Sequence, residues 1–324
     1  MARRIFLMVF FFTGFAVHLS AQQDPQFTQY MLNSIFYNPG FSGAEGVTKF
    51  TALHRSQWLG YAPTNYGGSA PTTQLITFST PINKINSGVG AYITHDNLGP
   101  FNNLEIQPSF AYHLGVKNSK LSFGVRPGIY AQTVDFGMYR ALDPNDPKLT
   151  DSNGQPKQGS VTQVRPDLGF GVFWRKEKFY LGASFDHLTH ATFDFGLSQK
   201  NALKTHTYIT GGYIYEVNFD LKFHFSTLIQ SDFVKTSFNL AAMAYLKDMM
   251  WGGLSFRQGE SASLLLGYSF LKDKSLKLGY SLDYVIKDQA AKQATSHEVM
   301  LIYELPAVSG PGKKVVRTPR YRKS

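Results

Sequence analysis

Between Val47 and Glu304 the chain repeats short stretches in which apolar and polar residues alternate at period two. Leu276, Leu278, Tyr280, Leu282 and Tyr284 fall on one face, while Lys277, Gly279, Ser281 and Asp283 fall on the other. Leu104, Ile106, Pro108, Phe110, Tyr112 and Leu114 oppose Glu105, Gln107, Ser109, Ala111 and His113, and Leu221, Phe223 and Phe225 oppose Lys222, His224 and Ser226. A strand with one apolar and one polar face has to set each against a different medium. A soluble sandwich meets that demand too. Here, however, the stretches are about ten residues long and rich in Tyr and Phe, which predicts an all-β fold, a transmembrane antiparallel β-barrel whose side chains alternate between lipid and lumen.

The N-terminal residues support export. Arg3 and Arg4 precede an apolar run from Ile5 to Val17, and Leu19-Ser20-Ala21 offers small residues before Gln22, the pattern of a secretory signal peptide over residues 1–21. No cysteine is present, so neither a disulfide framework nor thiol chemistry is available. Past the leader no apolar run reaches the length of a spanning helix. The formal net charge is +10. Subtracting the two arginines of the leader and the six basic residues of 305–324 (Lys313, Lys314, Arg317, Arg320, Arg322 and Lys323) leaves about +2 for the region between. The basic character therefore belongs mainly to a short tail, expected to be periplasmic. An exported chain gives no reason to expect nucleic acid as a partner.

Fourteen strands are predicted, at about 47–58, 72–81, 87–95, 104–115, 120–133, 166–176, 178–187, 204–217, 221–231, 235–246, 249–258, 261–271, 275–286 and 295–304. Every second linker is short and turn-like (Ile82–Asn86, Val116–Ser119, Arg175–Glu177, Asn218–Asp220, Lys247-Asp248, Lys272–Lys274). The others tend to be longer: Gly60–Pro71, Asp96–Asn103, Val134–Arg165, Leu188–Leu203 and Lys287–Ala294, with short exceptions near Asp232 and Gln258. Short periplasmic turns and long outer loops are the habit of such barrels, which places both termini in the periplasm. Trp58, Tyr112, Trp174, Trp251, Tyr284 and Tyr303 lie near strand ends and suit interfacial girdles, or else packing in loops or the lumen. Residues 22–46 are too aromatic to stand free in water. A helical turn over 27–36, broken at Tyr37-Asn38-Pro39-Gly40, is expected to pack in or under the barrel mouth as a partial plug.

This N-terminal block also resembles a known family. Gln23-Asp24-Pro25-Gln26-Phe27-Thr28-Gln29-Tyr30, Asn33, Tyr37-Asn38-Pro39-Gly40-Phe41-Ser42-Gly43 and His54-Arg55-Ser56-Gln57-Trp58 are similar to the opening of the PorP/SprF family. Ala70-Pro71-Thr72-Thr73-Gln74, Gly88-Val89-Gly90, Asp96-Asn97-Leu98-Gly99-Pro100 and Lys120-Leu121-Ser122-Phe123-Gly124 extend the resemblance. It implies an outer-membrane component of the type IX secretion system of Bacteroidota. Some members belong to the core machinery, and others are devoted partners of individual secreted proteins such as gliding adhesins. The implied partners are a secreted type IX substrate protein, periplasmic or outer-membrane secretion components, and outer-membrane lipid. Tyr30, Asn33, Tyr37, Asn38, Pro39, Arg55, Gln57 and Trp58 are the candidate motif or partner-contact residues.

The residues themselves add chemistry to that block. Arg55 and Gln57 share one strand face, opposite His54, Ser56 and Trp58. Facing the lumen, Arg55 would bond carbonyls or a carboxylate of the preceding segment and fix the plug, while Asn38-Pro39-Gly40 supplies the turn that folds the segment back. Structural anchoring is favoured over substrate contact. Gly, Pro and Tyr between Tyr61 and Thr73 suit an outer loop whose tyrosines make protein contacts or cap the barrel.

No enzymatic site is assigned. Asp186, His187, His190 and Asp194 fit no metal spacing and read as a solvated outer loop. His224 and Ser226 share a face without a nearby acid. Asp143, Asn145, Asp146, Asp151 and Asn153 lack the spacing of a calcium loop and read as surface turns. Gly88 and Gly90 sit inside a strand, leaving room in the lumen or relieving curvature. The chain is thus expected to be a non-enzymatic secretion component without cofactor or metal. Its rival is a passive diffusion channel, distinguished by whether residues 22–46, with Tyr92, Phe173 and Tyr213, fill the bore.

Overall fold

The structure is a computed structural model that describes residues 24–61, 70–139, 148–150, 155, 157–197, 200–271, 273–287 and 292–305. The leader, the basic tail, residues 62–69 of the tyrosine loop, and Asp143, Asn145, Asp146, Asp151 and Asn153 of the polar turns lie outside these residues.

The strands are β1 (Thr48–Ser56), β2 (Thr72–Ile82), β3 (Ser87–Leu98), β4 (Phe101–Val116), β5 (Ser119–Asp135), β6 (Ser160–Lys176), β7 (Phe179–Asp186), β8 (Thr192–Phe193), β9 (Asn201–Ala202), β10 (His206–Glu216), β11 (Leu221–Ser231), β12 (Thr236–Leu246), β13 (Met250–Arg257), β14 (Ser261–Phe270), β15 (Leu276–Val285) and β16 (Thr295–Leu305). Fourteen of them form one closed antiparallel barrel, and β8 and β9 form a separate two-stranded ribbon. The first and last strands close the ring, in register from Thr48↔Leu305 to Ser56↔His297. Closure leaves no edge with unpaired backbone groups, the condition for a sheet in hydrocarbon. No described helix is long and apolar enough to cross a membrane.

The alternation seen in the sequence becomes an inside and an outside. Along β4, Leu104, Ile106, Phe110, Tyr112 and Leu114 are exposed on the outer wall while Glu105, Gln107, Ser109 and His113 are buried in the lumen. Every barrel strand presents at least one exposed large apolar side chain, such as Phe50 on β1, Ile76 on β2, Leu181 on β7 and Leu254 on β13. A continuous apolar band of this kind has to be covered by lipid.

Of the placements open to Trp251, the structure gives the lumen: it is 6% exposed and points inward, and Gly267 opposite leaves the space its indole fills. Two expectations are corrected. Tyr213 shares the outward face of β10 with Ile209, and at 47% exposure it does not fill the bore, whereas Tyr92 and Phe173 do. Asp96–Asn103 is not a long loop. Strands β3 and β4 run on to Leu98 and from Phe101, joined by a tight turn with Gly99 at φ +60°. Tyr112, Tyr284 and Tyr303 do face outward.

Strands β5 and β6 are each 17 residues long, well beyond the 9–11 needed to span. Their excess lies at the long-linker end, where Tyr130, Val134 and Phe136 pack with Phe193, Phe195 and Leu203. The ladder between β4 and β5 opens between Ile106↔Ile129 and Phe110↔Val125, where Pro108 and Pro127 supply no N–H.

Candidate functional site in the barrel lumen

Residues 24–46 thread the lumen as a plug. Asp24 lies at the long-linker end, beside the residues that follow β7 and begin β10. The chain then runs through a 3-10 turn (Tyr30–Leu32), the single-turn helix α1 (Ser34–Tyr37) and a second 3-10 turn (Pro39–Phe41) to enter β1 at the short-turn end. Asp24 and Leu305 are therefore at opposite ends of the barrel, unlike the expectation that both ends of the chain lie on the periplasmic side. Phe27, Tyr30, Met31, Phe36 and Tyr37 pack against Met300, Leu53, Leu75 and Tyr92 on the neighbouring strands β16, β1, β2 and β3 and against Tyr208 on β10 and Trp251 on β13. Ile35, Phe41 and Ala44 pack on Phe173. Each fully buried aromatic of this kind contributes about 1.5–3 kcal/mol relative to exposure.

Four polar latches tie the plug to the wall. At the first, Arg55 pairs with Asp283 at 2.7 Å and Glu298 at 3.2 Å, all three side chains nearly inaccessible. Glu298 accepts the backbone N–H groups of Thr28 and Gln29 at 3.0 Å each, and the Thr28 hydroxyl donates to Asp283 at 2.8 Å. Arg55 thus faces the lumen as its strand face requires. Its carboxylate partners, however, come from β15 and β16 rather than from the preceding segment, to which it donates through Thr28 Oγ1 at 3.2 Å.

At the second, Arg126 donates to the carbonyls of Ile35 (2.5 Å) and Phe36 (3.0 Å) and pairs with Asp186 at 2.8 Å. Carbonyls in a helix's last turn have no intrahelical donor, and the guanidinium fork supplies one to each. It also lies 4.8 Å over the Tyr92 ring.

The third latch is Asn38. Its Oδ1 accepts from Gly40 N at 2.8 Å, shaping the turn, and its Nδ2 donates to Val172 O (3.0 Å) on β6 and Ala183 O (3.3 Å) on β7. The approach is possible because Gly124 and Gly171 carry no side chain: a Cβ there would lie 2.2 Å from Gly40 N and 2.3 Å from Asn38 Oδ1. Gly88 likewise admits Ser42 O, so the lumen-room reading of the strand glycines holds. Nearby, Ser184 donates to Tyr37 O at 2.5 Å and Gly43 N to Ser79 Oγ at 2.8 Å.

The fourth joins Asp24 to His187, His206 and Tyr208. His187 Nε2 is 3.0 Å from Asp24 Oδ1 and its Nδ1 is 2.8 Å from Asp167 Oδ2, while the Tyr208 hydroxyl donates to Asp24 Oδ2. Burial pushes the Asp24 carboxyl up, but His206 and His187, together with hydrogen bonds from His187 and Tyr208, hold it below the usual carboxylate range. Burial opposes charge on His187 as well, yet Asp24 and Asp167 outweigh it and raise the imidazole well above its ordinary value.

Six of the eight sequence candidates meet in this lumen: Tyr30, Asn33, Tyr37, Asn38, Pro39 and Arg55 are all buried there. Tyr30 donates to Ser226 O at 2.9 Å, which gives Ser226 a plug-holding contact, and Asn33 accepts from Thr77 at 3.1 Å. Gln57 and Trp58 are separate. Strand β1 ends at Ser56, and Trp58, with φ +49°, sits in the following linker against Tyr61. Asp186 and His187 are not solvated loop residues but buried latch residues at the lumen wall; only His190 and Asp194 are exposed. Arg126, Asp167 and His206 went unremarked in the sequence, although Arg126 and Asp167 are charges on strand stretches the alternation already marks.

Among solved structures, the chain is similar to Omp33 of Acinetobacter baumannii (6% identity, TM-score 0.45, covering 80% of this chain and 98% of that one). It is also similar to a Pseudomonas aeruginosa FadL homologue (14%, 0.42, covering 84% and 92%) and to the CymD monoaromatic hydrocarbon channel (11%, 0.47, covering 85% and 91%). No curated protein matches the sequence. The family model described as "Type IX secretion system membrane protein PorP/SprF" matches residues 19–303, taking in the plug and nearly the whole barrel. The chain belongs to the PorP/SprF family of type IX secretion system membrane proteins.

Proposed function

We propose that this protein is a plugged, non-enzymatic component of type IX secretion that supports export or surface attachment of one specific secreted protein, such as a gliding adhesin. The observation that carries the reading is the filled lumen of a family member: a bore occupied from Asp24 to Glu45 and latched by buried ion pairs is built to stay closed. Cargo then engages the surface of the barrel rather than its interior. The long-linker rim, with Trp58, Tyr61 and the raised β5–β6 wall, is the cargo-facing end. The short-turn end, where β1 begins and β16 finishes, faces the periplasm and directs the basic tail over 305–324 toward envelope machinery. A cleaved leader over 1–21 delivers the chain, as in Bacteroidota that use this system.

Deleting the gene tests the role through quantitative surface proteomics and motility. Loss of a specific large surface protein from the outer face is the expected outcome, and an unchanged surface with intact motility overturns it. The diffusion-channel alternative is opposed by the plug, and steady large currents from the intact protein in planar bilayers would restore it.

A further inference from the structure

We propose that Asp24, His187 and His206 form a binding site for a divalent transition-metal ion, with zinc as the best match, that staples the start of the plug to the barrel wall. One ligand atom from each of the three residues lies within 4.8 Å of the others. Two imidazoles and a carboxylate are the donor set that zinc and its neighbours favour.

The orientation of the rings points the same way. His187 places its Nδ1 2.8 Å from Asp167 Oδ2, and His206 places its Nδ1 3.0 Å from the Lys204 carbonyl. Each ring thus presents its Nδ1 to an oxygen; His206 Nε2 accepts from the Asp24 amide, while His187 Nε2, which donates to Asp24 Oδ1 in the metal-free protein, would give up that proton on binding a metal. Metal-bound histidines are held in this manner, the far nitrogen donating to a carboxylate or backbone carbonyl. Both Nε2 atoms lie at Asp24: that of His187 is 3.0 Å from Oδ1, and that of His206 is 3.4 Å from the backbone N. The latter is a long hydrogen bond to an amide that cannot ligate a metal, and the Asp24 carboxylate is 3.6 Å from His206 Nδ1, so the His206 ring would shift for its Nε2 to share an ion with that carboxylate. Bonds of about 2.0–2.1 Å in a tetrahedron separate ligand atoms by about 3.3 Å; the three ligand atoms here lie within 4.8 Å of one another, so binding would draw them together. The Asp167 carboxylate is itself oriented by Gln107, which donates to the same Oδ2 at 2.9 Å. The Tyr208 hydroxyl on Asp24 Oδ2 fixes the carboxylate from its other side.

Both histidines are almost inaccessible and Asp24 is 11% exposed by side chain, so a metal here is enclosed by protein and serves structure rather than turnover. Asp24 is the first described residue of the plug, and β7 and β10, which supply or adjoin the two histidines, are paired neighbours. One ion would therefore cross-link the plug to a seam of the barrel. The inference rests on lumen geometry and stands whether or not the secretion role does.

The test uses the full processed protein, folded in detergent, stripped with chelator and given zinc alone. One equivalent of zinc retained through desalting, with an X-ray absorption spectrum of two imidazoles and oxygen donors, is the expected result. Heat-modified gel mobility confirms that each sample is folded. Asp167→Asn, which touches no metal, should weaken zinc affinity about 10- to 100-fold. His187→Gln and His206→Gln should each abolish stoichiometric uptake. Folded wild-type protein that takes up no zinc overturns the proposal and leaves a protonated His187 bridging the two carboxylates instead. Uptake that survives both histidine substitutions, or a spectrum with a different histidine count, overturns it too. Should the variants fail to fold, wild-type stoichiometry and the absorption spectrum decide alone.

Discussion

Arg126 is a single side chain on which two kinds of unsatisfied group depend. Replacing it with Met leaves the Asp186 carboxylate buried without its cation and two plug carbonyls without a donor. Removing one partner of a buried pair costs about 3–5 kcal/mol. That loss should appear as a lower urea midpoint for the detergent-folded barrel. Arg126→Lys should recover only part of it, because an ammonium cannot fork to the two carbonyls as a guanidinium does. The double variant Arg126→Met/Asp186→Leu should be more stable than the single one, since it removes the orphaned charge. Asn38→Ala should cost less, roughly 1–3 kcal/mol for three neutral hydrogen bonds of about 1 kcal/mol each. How much of this was legible depends on register. Arg55 was readable because it sits inside an alternating strand whose other face is marked. Asp186 and His187 were misjudged because they fall where β7 ends, and there period two no longer says whether a side chain points into water or into a filled lumen.

At the scale of the element, the plug and the strands under it are fitted through absence of side chains. Gly171→Val would drive a branched side chain into Asn38 and should lift the Tyr37–Phe41 turn from β6 and β7. Limited proteolysis of the folded barrel should then cut within residues 24–46, where the parent protein should resist. Gly115→Val on β4 is the control: nothing lies within 4 Å of a Cβ there, so the protease pattern should not change. Strand count, the short turns and the plug itself were legible because each depends on local chemistry, whether period two, turn residues or an aromatic segment with no strand pattern. The heights of β5 and β6 were not. Their extra turns carry apolar residues that bury against the ribbon formed by β8 and β9, a tertiary partner that no local window contains. The same limit explains Tyr213. Tyr208 and Tyr213 lie on opposite faces of one strand, and an aromatic residue suits either lumen or lipid, so identity alone does not sort them.

For the whole molecule, closure is a property of the plug and not of the barrel. All backbone pairing around the ring is strand to strand, and no plug residue contributes to the ladder. Deleting residues 25–45 should therefore leave a folded barrel, still resistant to detergent at room temperature, that has lost its obstruction. In planar bilayers the intact protein should carry negligible current and the deletion variant a steady one. The open bore should also prefer cations. Among the described buried residues the acids Asp96, Glu105, Asp167, Asp186, Asp232, Asp283 and Glu298 outnumber Lys49, Arg55, Arg126 and Arg257. Charges lining a narrow path set the sign of the permeant ion. A reversal potential in a salt gradient measures that preference directly. An anion-selective pore would mean that removing the plug rearranges the wall. An intact protein that conducts as well as the deletion variant would mean the plug leaves the lumen in the membrane, contrary to the latches described above.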